Sequence, residues 1–333
     1  MSFLSRPIKR LRRSLYPLAL KPAETWVKCL SGKNREVWAR HFGSLAYGVL
    51  AAARIRAHDH LHYAFGPELT AEEVRTIARK CFQNLILNFL ECAHFERFDQ
   101  GKLLEKIRVE GWEHVEEAHR RGKGAILVGG HLGNWEMAAV CFAIRGYPIQ
   151  VVARRIYIEA LNRTLIKMRE RLGVKTIYRD GSMRSMIRCL QNNHFLAILP
   201  DQDVKRVQGI FVDFFGHPAY TPTGPALLAI GSGSPILVVR NIRKDGHHLL
   251  TVDPPVYANR GAPRDEEVRR LVTHYTKRLE DFIRKDPTQW VWTHRRWRTR
   301  PESLQSPRRN LRIPERRGRS GHAGDGAKES RVD

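Results

Sequence analysis

The sequence predicts an α/β fold in which a mixed sheet is flanked by helices, with a helical N-terminal region and a disordered basic C-terminal tail. Apolar residues recur at helical spacing through residues 21–105. From residue 106 to residue 301, short apolar runs alternate with amphipathic segments, which is typical of strands and helices packed in layers. Residues 302–333 are rich in arginine, serine and glycine and contain too few apolar residues to form a core.

Residues 1–20 form a short basic amphipathic segment. Leu4, Ile8, Leu11 and Leu15 recur at helical spacing with lysine and arginine between them. Such a segment can lie in the headgroup region of an anionic leaflet, where each basic residue contributes about 1 kcal/mol. The alternative is a solvated basic leader. The longest N-terminal apolar run, residues 42–53, is shorter than the roughly 20 residues that a membrane-spanning helix needs, so we expect peripheral attachment.

The individual elements follow from local patterns. Thr70 and Glu73 have the spacing of a helix capping box, and an apolar stripe follows them. Short apolar runs predict strands, and apolar residues at helical spacing between and after them predict helices. The predicted strands are residues 125–128, 149–153, 174–178, 195–199, 236–239 and 249–252, and the predicted helices are 161–172, 183–190 and 268–282.

The charge balance is unusual. Lysine and arginine number 58 against 34 aspartate and glutamate, which gives a net charge of +24. A basic excess of this size predicts a polyanionic partner: an anionic membrane surface, an acidic protein or a nucleic acid. The five cysteines are widely spaced and contain no C-x-x-C pair, which argues against a disulfide framework and a zinc site and favours a reducing compartment.

The residues after the apolar run 125–128 have a pattern that suits catalysis. Two glycines follow the run, then His131, Asn134 and Glu136. If Asn134 caps a helix, Glu136 falls in its first turn and can fold back toward the imidazole. A carboxylate that holds one ring nitrogen leaves the other free to accept a proton from a hydroxyl. A phosphate site at the helix N-terminus and a purely structural histidine are the alternatives.

Four blocks, in order and spacing, resemble the late (lauroyl or myristoyl-type) acyltransferases of lipid A biosynthesis, a branch of the lysophospholipid acyltransferase superfamily. The resemblance covers roughly residues 40–301 and implies a glycerolipid-acyltransferase-like fold. The blocks are residues 131–136 (HLGNWE), 199–203 (LPDQD), 211–219 (FVDFFGHPA) and 286–301 (DPTQWVWTHRRWRTRP).

The resemblance implies a role for each of several residues. His131 would be the general base and Glu136 its orienting partner. Arg154 or Arg155 would bind a substrate phosphate, and only one should reach the site because neighbours on a strand point to opposite faces. The remaining site predictions are an oxyanion donor at Gly133 and substrate-site positions at Asp201, Phe215 and Gly216.

The predicted enzyme is an acyltransferase without a metal or other cofactor. Asp201, Asp203 and Asp213 could be read as a divalent-metal cluster, but the resemblance implies transfer without metal. The donor would be acyl carrier protein, or less readily coenzyme A, and the acceptor a glycolipid hydroxyl, foremost a lipid A precursor. A lysophospholipid or aminolipid is the alternative acceptor.

The expected location of this enzyme is the cytoplasmic face of the cell inner membrane, with peripheral attachment. A rival class is a basic nucleic-acid-binding protein, because the rings and cations of residues 290–300 also suit single strands. That class has no need of His131 and Glu136, so we expect no nucleic-acid partner.

Overall fold

The N-terminal part of the molecule is a set of packed helices: α1 (Gly32–Val49), α2 (Ala51–Phe65), α3 (Ala71–Cys92) and the short α4 (Gln100–Leu104). The computed structural model describes residues 30–95, 100–179, 183–204 and 207–301, so the predictions for residues 1–20 and 302–333 lie outside the described residues. The predicted capping box is confirmed: Thr70 Oγ1 accepts from Glu73 N, and the Glu73 carboxylate accepts from Thr70 N.

A seven-stranded mixed sheet follows, which confirms the predicted α/β class. The order of its strands is β1-β9-β8-β2-β5-β3-β4, with parallel pairing throughout except between β8 and β9. A separate antiparallel hairpin consists of β6 and β7. The bounds are β1 (Ile107–Glu110), β2 (Ala125–Val128), β3 (Ile149–Ala153), β4 (Val174–Tyr178), β5 (Phe195–Ile198), β6 (Gly209–Phe214), β7 (His217–Pro222), β8 (Ile236–Lys244) and β9 (His247–Val252).

Six helices accompany the strands and cover both faces of the sheet. They are α5 (Trp112–Arg120), α6 (Trp135–Ile144), α7 (Glu159–Arg171), α8 (Met183–Gln191), α9 (Gly224–Ser232) and α10 (Arg264–Lys285). One core holds buried residues of α5, α6 and α7, among them Val115, Phe142 and Met168. The other core joins α8, α9 and α10 to α2, α3 and the hairpin.

The predicted strands are all present, and three differ in length: β5 is one residue shorter than predicted, and β8 and β9 are longer. β8 runs on to Lys244, five residues beyond the predicted end, because it pairs with β9 as a long antiparallel ribbon. The hairpin β6–β7 was not predicted, since its alternation is interrupted by glycine and proline. β2, β5, β3 and β4 are mutually parallel, so the loops that follow them, including those with His131 and Asp201, meet at one edge of the sheet.

Candidate active site

His131 lies in a tight turn at the carboxyl end of β2. The turn is held from two sides, because Asn134 N donates to Asn241 O (3.1 Å) on β8 and Val291 N donates to His131 O (3.1 Å). Gly133 has a φ of +57°, and a Cβ there would lie 1.9 Å from Asn241 O. Only glycine fits this close approach, so the backbone that carries the imidazole has little freedom to move.

Asp201, which follows β5, binds His131 twice. Its Oδ1 accepts from His131 Nδ1 (2.7 Å), and its Oδ2 accepts from His131 N (2.7 Å) and from Trp290 Nε1 (2.9 Å). The residue is only 2% exposed. Burial alone would raise the pKa of this carboxyl, but the charge of His131 and these hydrogen bonds hold the pKa well below its usual range. Asp201 is therefore an anion in the folded protein.

The partner predicted for His131, Glu136, lies elsewhere. Asn134 caps α6 as expected, with its Oδ1 accepting from Met137 N (3.1 Å), and Glu136 is in the first turn. Its two oxygens, however, accept from Arg169 Nε (2.8 Å) and Nη2 (2.6 Å) on α7. The predicted fold-back toward the imidazole is wrong, since the first turn of α6 faces the neighbouring helix and Asp201 already occupies Nδ1.

The second nitrogen of His131 faces an amide and another imidazole. Because a carboxylate can only accept, Nδ1 must be the protonated nitrogen of a neutral His131, and Nε2 is left as an acceptor. Gln202 Nε2 lies 3.0 Å from His131 Nε2 and 3.1 Å from His294 Nε2. The rings of the two histidines meet edge-on with centroids 4.9 Å apart. Neutral His131 thus presents its basic nitrogen to a polar group of fixed geometry.

His294 is neutral in this arrangement. Burial and then the charge of His131 lower its pKa to about 3. Its Nε2 accepts from the Gln202 amide, so the proton lies on Nδ1, which is buried without a hydrogen-bond partner among the described residues. A neutral neighbour lets His131 change its charge without a competing cation beside it.

Ligand atoms of His131, Asp201 and His294 lie within 4.8 Å of one another, the spacing of a possible metal site. Three hydrogen bonds already engage the two oxygens of Asp201, which favours the reading of a carboxylate that orients a histidine. The other two acidic residues considered above bind protein groups: Asp203 accepts from Thr299 N (2.6 Å), and Asp213 accepts from Gly216 N (3.2 Å).

His131 lines a cavity of about 590 Å³ at the carboxyl edge of the sheet. One side of the cavity lies between α6 and the sheet, where its walls are apolar. The other side reaches toward α8 and α9. The apolar residues of the first side are Leu127, Ala138, Ala139, Phe142, Ile149, Val151 and Ala197, and those of the second include Met183, Met186, Pro225 and Leu228.

The side chains of the two arginines after β3 lie in different places, as expected for neighbouring residues of an extended segment. Arg154 lines the cavity. Arg155 lies over the ring of Tyr178, 4.4 Å from its centroid. Arg179, at the end of β4, is a further cavity residue that the sequence did not single out, so the mouth of the cavity carries at least two cations.

Three other predicted site residues do not contact the cavity. Gly133 N donates to Gln289 O (3.0 Å), so this N–H is not available as an oxyanion donor. Phe215 is buried against Trp292 and donates its N–H to Glu280 (2.7 Å). Gly216 lies in the turn between β6 and β7. Phe215 and Gly216 thus lie at the turn end of the hairpin, which packs on α10, and neither of them lines the cavity.

The arginines of the aromatic and basic block near the C-terminus contact other parts of the domain. Arg296 is fully buried, donates to Tyr220 O (2.7 Å) and Thr221 Oγ1 (2.6 Å), and burial lowers its pKa to about 10. Arg298 donates to Asp203 O (2.7 Å), and Arg300 to Tyr63 Oη (2.9 Å). Of the two roles open to these arginines, contact with charged partners or attachment of the C-terminal segment, the structure shows the second.

The sequence did not reveal that Gln202 and His294 lie beside His131, or that Asp201 is the carboxylate that holds its imidazole. A signal was present: Asp201 and Gln202 follow β5, a parallel strand next to β2, so they lie at the same edge of the sheet as the loop that carries His131. His294 gave no comparable signal, because only folding brings the C-terminal block across this edge.

The chain is similar to a known protein family and to several of its members. The sequence profile of the bacterial lipid A biosynthesis acyltransferases matches residues 25–299. A phosphatidylinositol mannoside acyltransferase of Mycolicibacterium smegmatis is 33% identical over 211 residues, 62% of this chain and 67% of that protein. The lipid A biosynthesis lauroyltransferase of Escherichia coli is 25% identical over 79% of this chain and 85% of its own length.

A second Escherichia coli relative, a lipid A biosynthesis palmitoleoyltransferase, is 25% identical over 78% of this chain and 83% of its own length. No described helix is long and apolar enough to cross a membrane. The profile covers most of the chain, including the turn of His131, the strand before Asp201 and the block of His294. The chain therefore belongs to the bacterial lipid A biosynthesis acyltransferase family and is a lipid acyltransferase.

Proposed function

We propose that the protein transfers a fatty acyl chain from an acyl thioester to a hydroxyl of a glycolipid, and that a lipid A precursor is the first acceptor to test. The observation that carries the proposal is the contact of His131 Nδ1 with buried Asp201, because it leaves Nε2 as a base in the wall of a largely apolar cavity. The lipid A relatives support this acceptor.

The chemistry needs no intermediate on the protein. His131 Nε2 removes the proton of the acceptor hydroxyl as its oxygen attacks the thioester carbonyl, and Asp201 stabilises the resulting imidazolium. The tetrahedral oxyanion collapses, the C–S bond breaks, and the imidazolium returns the proton to the leaving thiolate. When the acceptor hydroxyl binds at His131 Nε2, it takes the place of the Gln202 amide there (3.0 Å), and the N–H that this releases can donate to the oxyanion.

Substrates fit the cavity in two parts. The small apolar walls between α6 and the sheet suit an acyl chain, and Arg154 and Arg179 at the mouth suit a phosphate. A second acceptor follows from the mannoside acyltransferase relative, a phosphorylated glycolipid of a different kind. Both acceptors combine a sugar hydroxyl with a phosphate, so the same groups can position either one. The surrounding membrane would be anionic and the attachment peripheral.

The test is acyl transfer in vitro with purified protein. Lauroyl acyl carrier protein and lauroyl coenzyme A are supplied separately, each with a lipid A precursor or a phosphatidylinositol mannoside. Wild type should form an ester product, and His131→Ala should lower kcat by about 10²–10⁴-fold. His62→Ala, an exposed histidine on α2, is the matched control and should keep wild-type turnover.

Full turnover by His131→Ala contradicts the assigned base. Product with the mannoside and none with the lipid A precursor moves the acceptor to the second candidate. Absence of product from all four combinations rejects both glycolipids and leaves a lysophospholipid or aminolipid as the acceptor to examine.

A further inference from the structure

A stripe of polar residues runs along one side of α3. Asn84, Asn88 and Glu91 are four and three residues apart, so they lie on one face of the helix. Asn88 is only 6% exposed, and the side chain of Glu91 is 15% exposed. Inward positions of a helix are usually apolar, because a buried polar group without a partner is costly. Here each of the three side chains has a partner that is distant in the sequence.

Two residues of this stripe hold the turn that carries His131. Asn88 Nδ2 donates to Gly133 O (2.6 Å), and Glu91 Oε2 accepts from Asn134 Nδ2 (2.7 Å). Neither Asn88 nor Glu91 lines the cavity. Their link to the site is therefore the backbone and the side chain of this turn.

Every polar atom of Gly133 and Asn134 is engaged. Gly133 N donates to Gln289 O (3.0 Å), and Asn134 N donates to Asn241 O (3.1 Å). Asn241 Nδ2 donates in return to Asn134 O (2.7 Å), and Asn134 Oδ1 caps α6. Because buried backbone groups need partners, a shift of the turn would break several of these bonds at once. Contacts from α3, β8 and the C-terminal block fix the turn together.

Arg243, on β8, connects the two residues of α3. Its Nε donates to Glu91 Oε1 (2.8 Å), and its Nη2 donates to Glu91 Oε2 and to Asn88 Oδ1. A guanidinium can only donate, so the carbonyl of Asn88 faces Arg243 and its amide nitrogen faces Gly133. Burial alone would raise the pKa of the Glu91 carboxyl, but the charge of Arg243 holds the pKa well below its usual range. The ion pair thus fixes the side chain of Asn88 in the orientation that holds the turn.

We propose that Asn88 and Glu91 are positioning residues for His131. By fixing the turn, they keep the imidazole in contact with Asp201, as a general base requires. The inference rests on the proposed function, in which His131 is the base, and adds the residues that place it. A displacement of about 1 Å at a reacting group can cost about 10²-fold in rate. Since neither residue lines the cavity, the loss should appear in kcat and leave KM unchanged.

The experiment removes one contact at a time in the full chain. Asn88→Leu keeps the approximate size of the side chain but cannot donate to Gly133 O, and Glu91 still pairs with Arg243 in this variant. The kcat of lauroyl transfer should fall by about 10–100-fold, with KM for lauroyl coenzyme A unchanged. Asn134→Ser is the second variant, because its hydroxyl can still cap α6 but it lacks the amide that binds Glu91. Its kcat should fall likewise.

The matched control is Asn84→Leu. Asn84 lies one turn earlier on the same face of α3, and its Nδ2 donates to Thr288 O (2.9 Å), a backbone carbonyl outside the turn. Urea unfolding of all three variants separates a loss of folded protein from a loss of rate. Asn84→Leu should keep wild-type kcat even if its stability falls. Wild-type kcat in folded Asn88→Leu and Asn134→Ser, or an equal loss in the control, overturns the inference.

A spectroscopic measurement tests the inference without an acceptor. The proton that His131 Nδ1 donates to Asp201 gives a low-field signal in proton NMR, which is identified by its absence from His131→Ala. This signal should shift in Asn88→Leu and keep its position in Asn84→Leu. A shift supports the inference even if no glycolipid is acylated. An unchanged signal in Asn88→Leu overturns it, whatever the activity of the variant.

Discussion

Glu136 and Arg169 form a buried ion pair with two short contacts in the wall of the cavity that contains His131. Arg169 also donates to Thr176 Oγ1 (3.3 Å) on β4, so the pair connects α6, α7 and the sheet. Burial would lower the pKa of Arg169, but the hydrogen bond and charge of Glu136 raise it. The carboxylate that follows the histidine in the sequence motif thus fixes the wall of the cavity and does not touch the imidazole.

Removing one member of this pair should destabilise the protein. Glu136→Gln leaves the Arg169 cation buried without its counter-charge, which costs about 3–5 kcal/mol of unfolding free energy. Urea denaturation measures the change. The double variant Glu136→Gln/Arg169→Met should recover much of the loss, since neither charge is then left alone.

The exposed pair of Glu72 and Arg75 serves as the control, and Glu72→Gln should change stability by less than about 1 kcal/mol. A Glu136→Gln protein that is as stable as wild type but has lost the acid limb of its pH–rate profile would instead restore Glu136 as the partner of His131.

Asp201→Asn should lower kcat by about 10²–10⁴-fold. The amide keeps the shape of the side chain but carries no charge to stabilise the imidazolium, and it can present an N–H that selects the wrong tautomer of His131. Steady-state acyl transfer measures the effect, with circular dichroism to verify folding. Asp213→Asn, on the exposed side of β6, is the matched control and should retain wild-type kcat; a similar loss in both variants would remove the special role of Asp201.

Lowering the pH from about 6.5 to about 3 should destabilise the protein, partly through His294. Its pKa is about 3 in the folded state and about 6.5 when unfolded, so in this range the unfolded chain binds the extra proton. The unfolding free energy therefore rises with pH there, by at most about 1.4 kcal/mol per pH unit for this one group. His294→Asn should show a shallower slope in urea denaturation over the same range. An unchanged slope would mean that His294 is protonated in the folded protein.

The length of the transferred acyl chain should depend on Ala139, which lines the cavity on the side between α6 and the sheet. Ala139→Leu adds three carbon atoms to that wall, so the variant should prefer donors shorter by two to four carbons, because close-packed interiors do not yield to added volume. Competition between donors of different length, with mass spectrometry of the product, measures the preference. Ala52→Leu, exposed on α2, is the control. An unchanged preference in Ala139→Leu would place the chain on the α8 side of the cavity.

Much of the fold could be predicted from local patterns. The apolar runs of β2, β3, β4 and β5 are short, continuous and separated by amphipathic helices, and a parallel sheet buried on both faces is the arrangement that such runs require. The capping box at Thr70 and the cap at Asn134 could be predicted equally well, since each depends on residues within one turn. The hairpin of β6 and β7 could not be predicted in this way, because glycine and proline interrupt its alternation.

For the site, the sequence by itself determined that His131 follows a strand and a glycine turn at an edge where ligands bind, and it identified the family through four blocks. It could not determine which carboxylate holds the imidazole. Glu136 is five residues from His131 and Asp201 is seventy residues away, yet the parallel pairing of β2 with β5 brings Asp201 to Nδ1. The tertiary structure decided this, because a helix start directs Glu136 toward α7 while neighbouring parallel strands bring their carboxyl ends together, however long the chain between them.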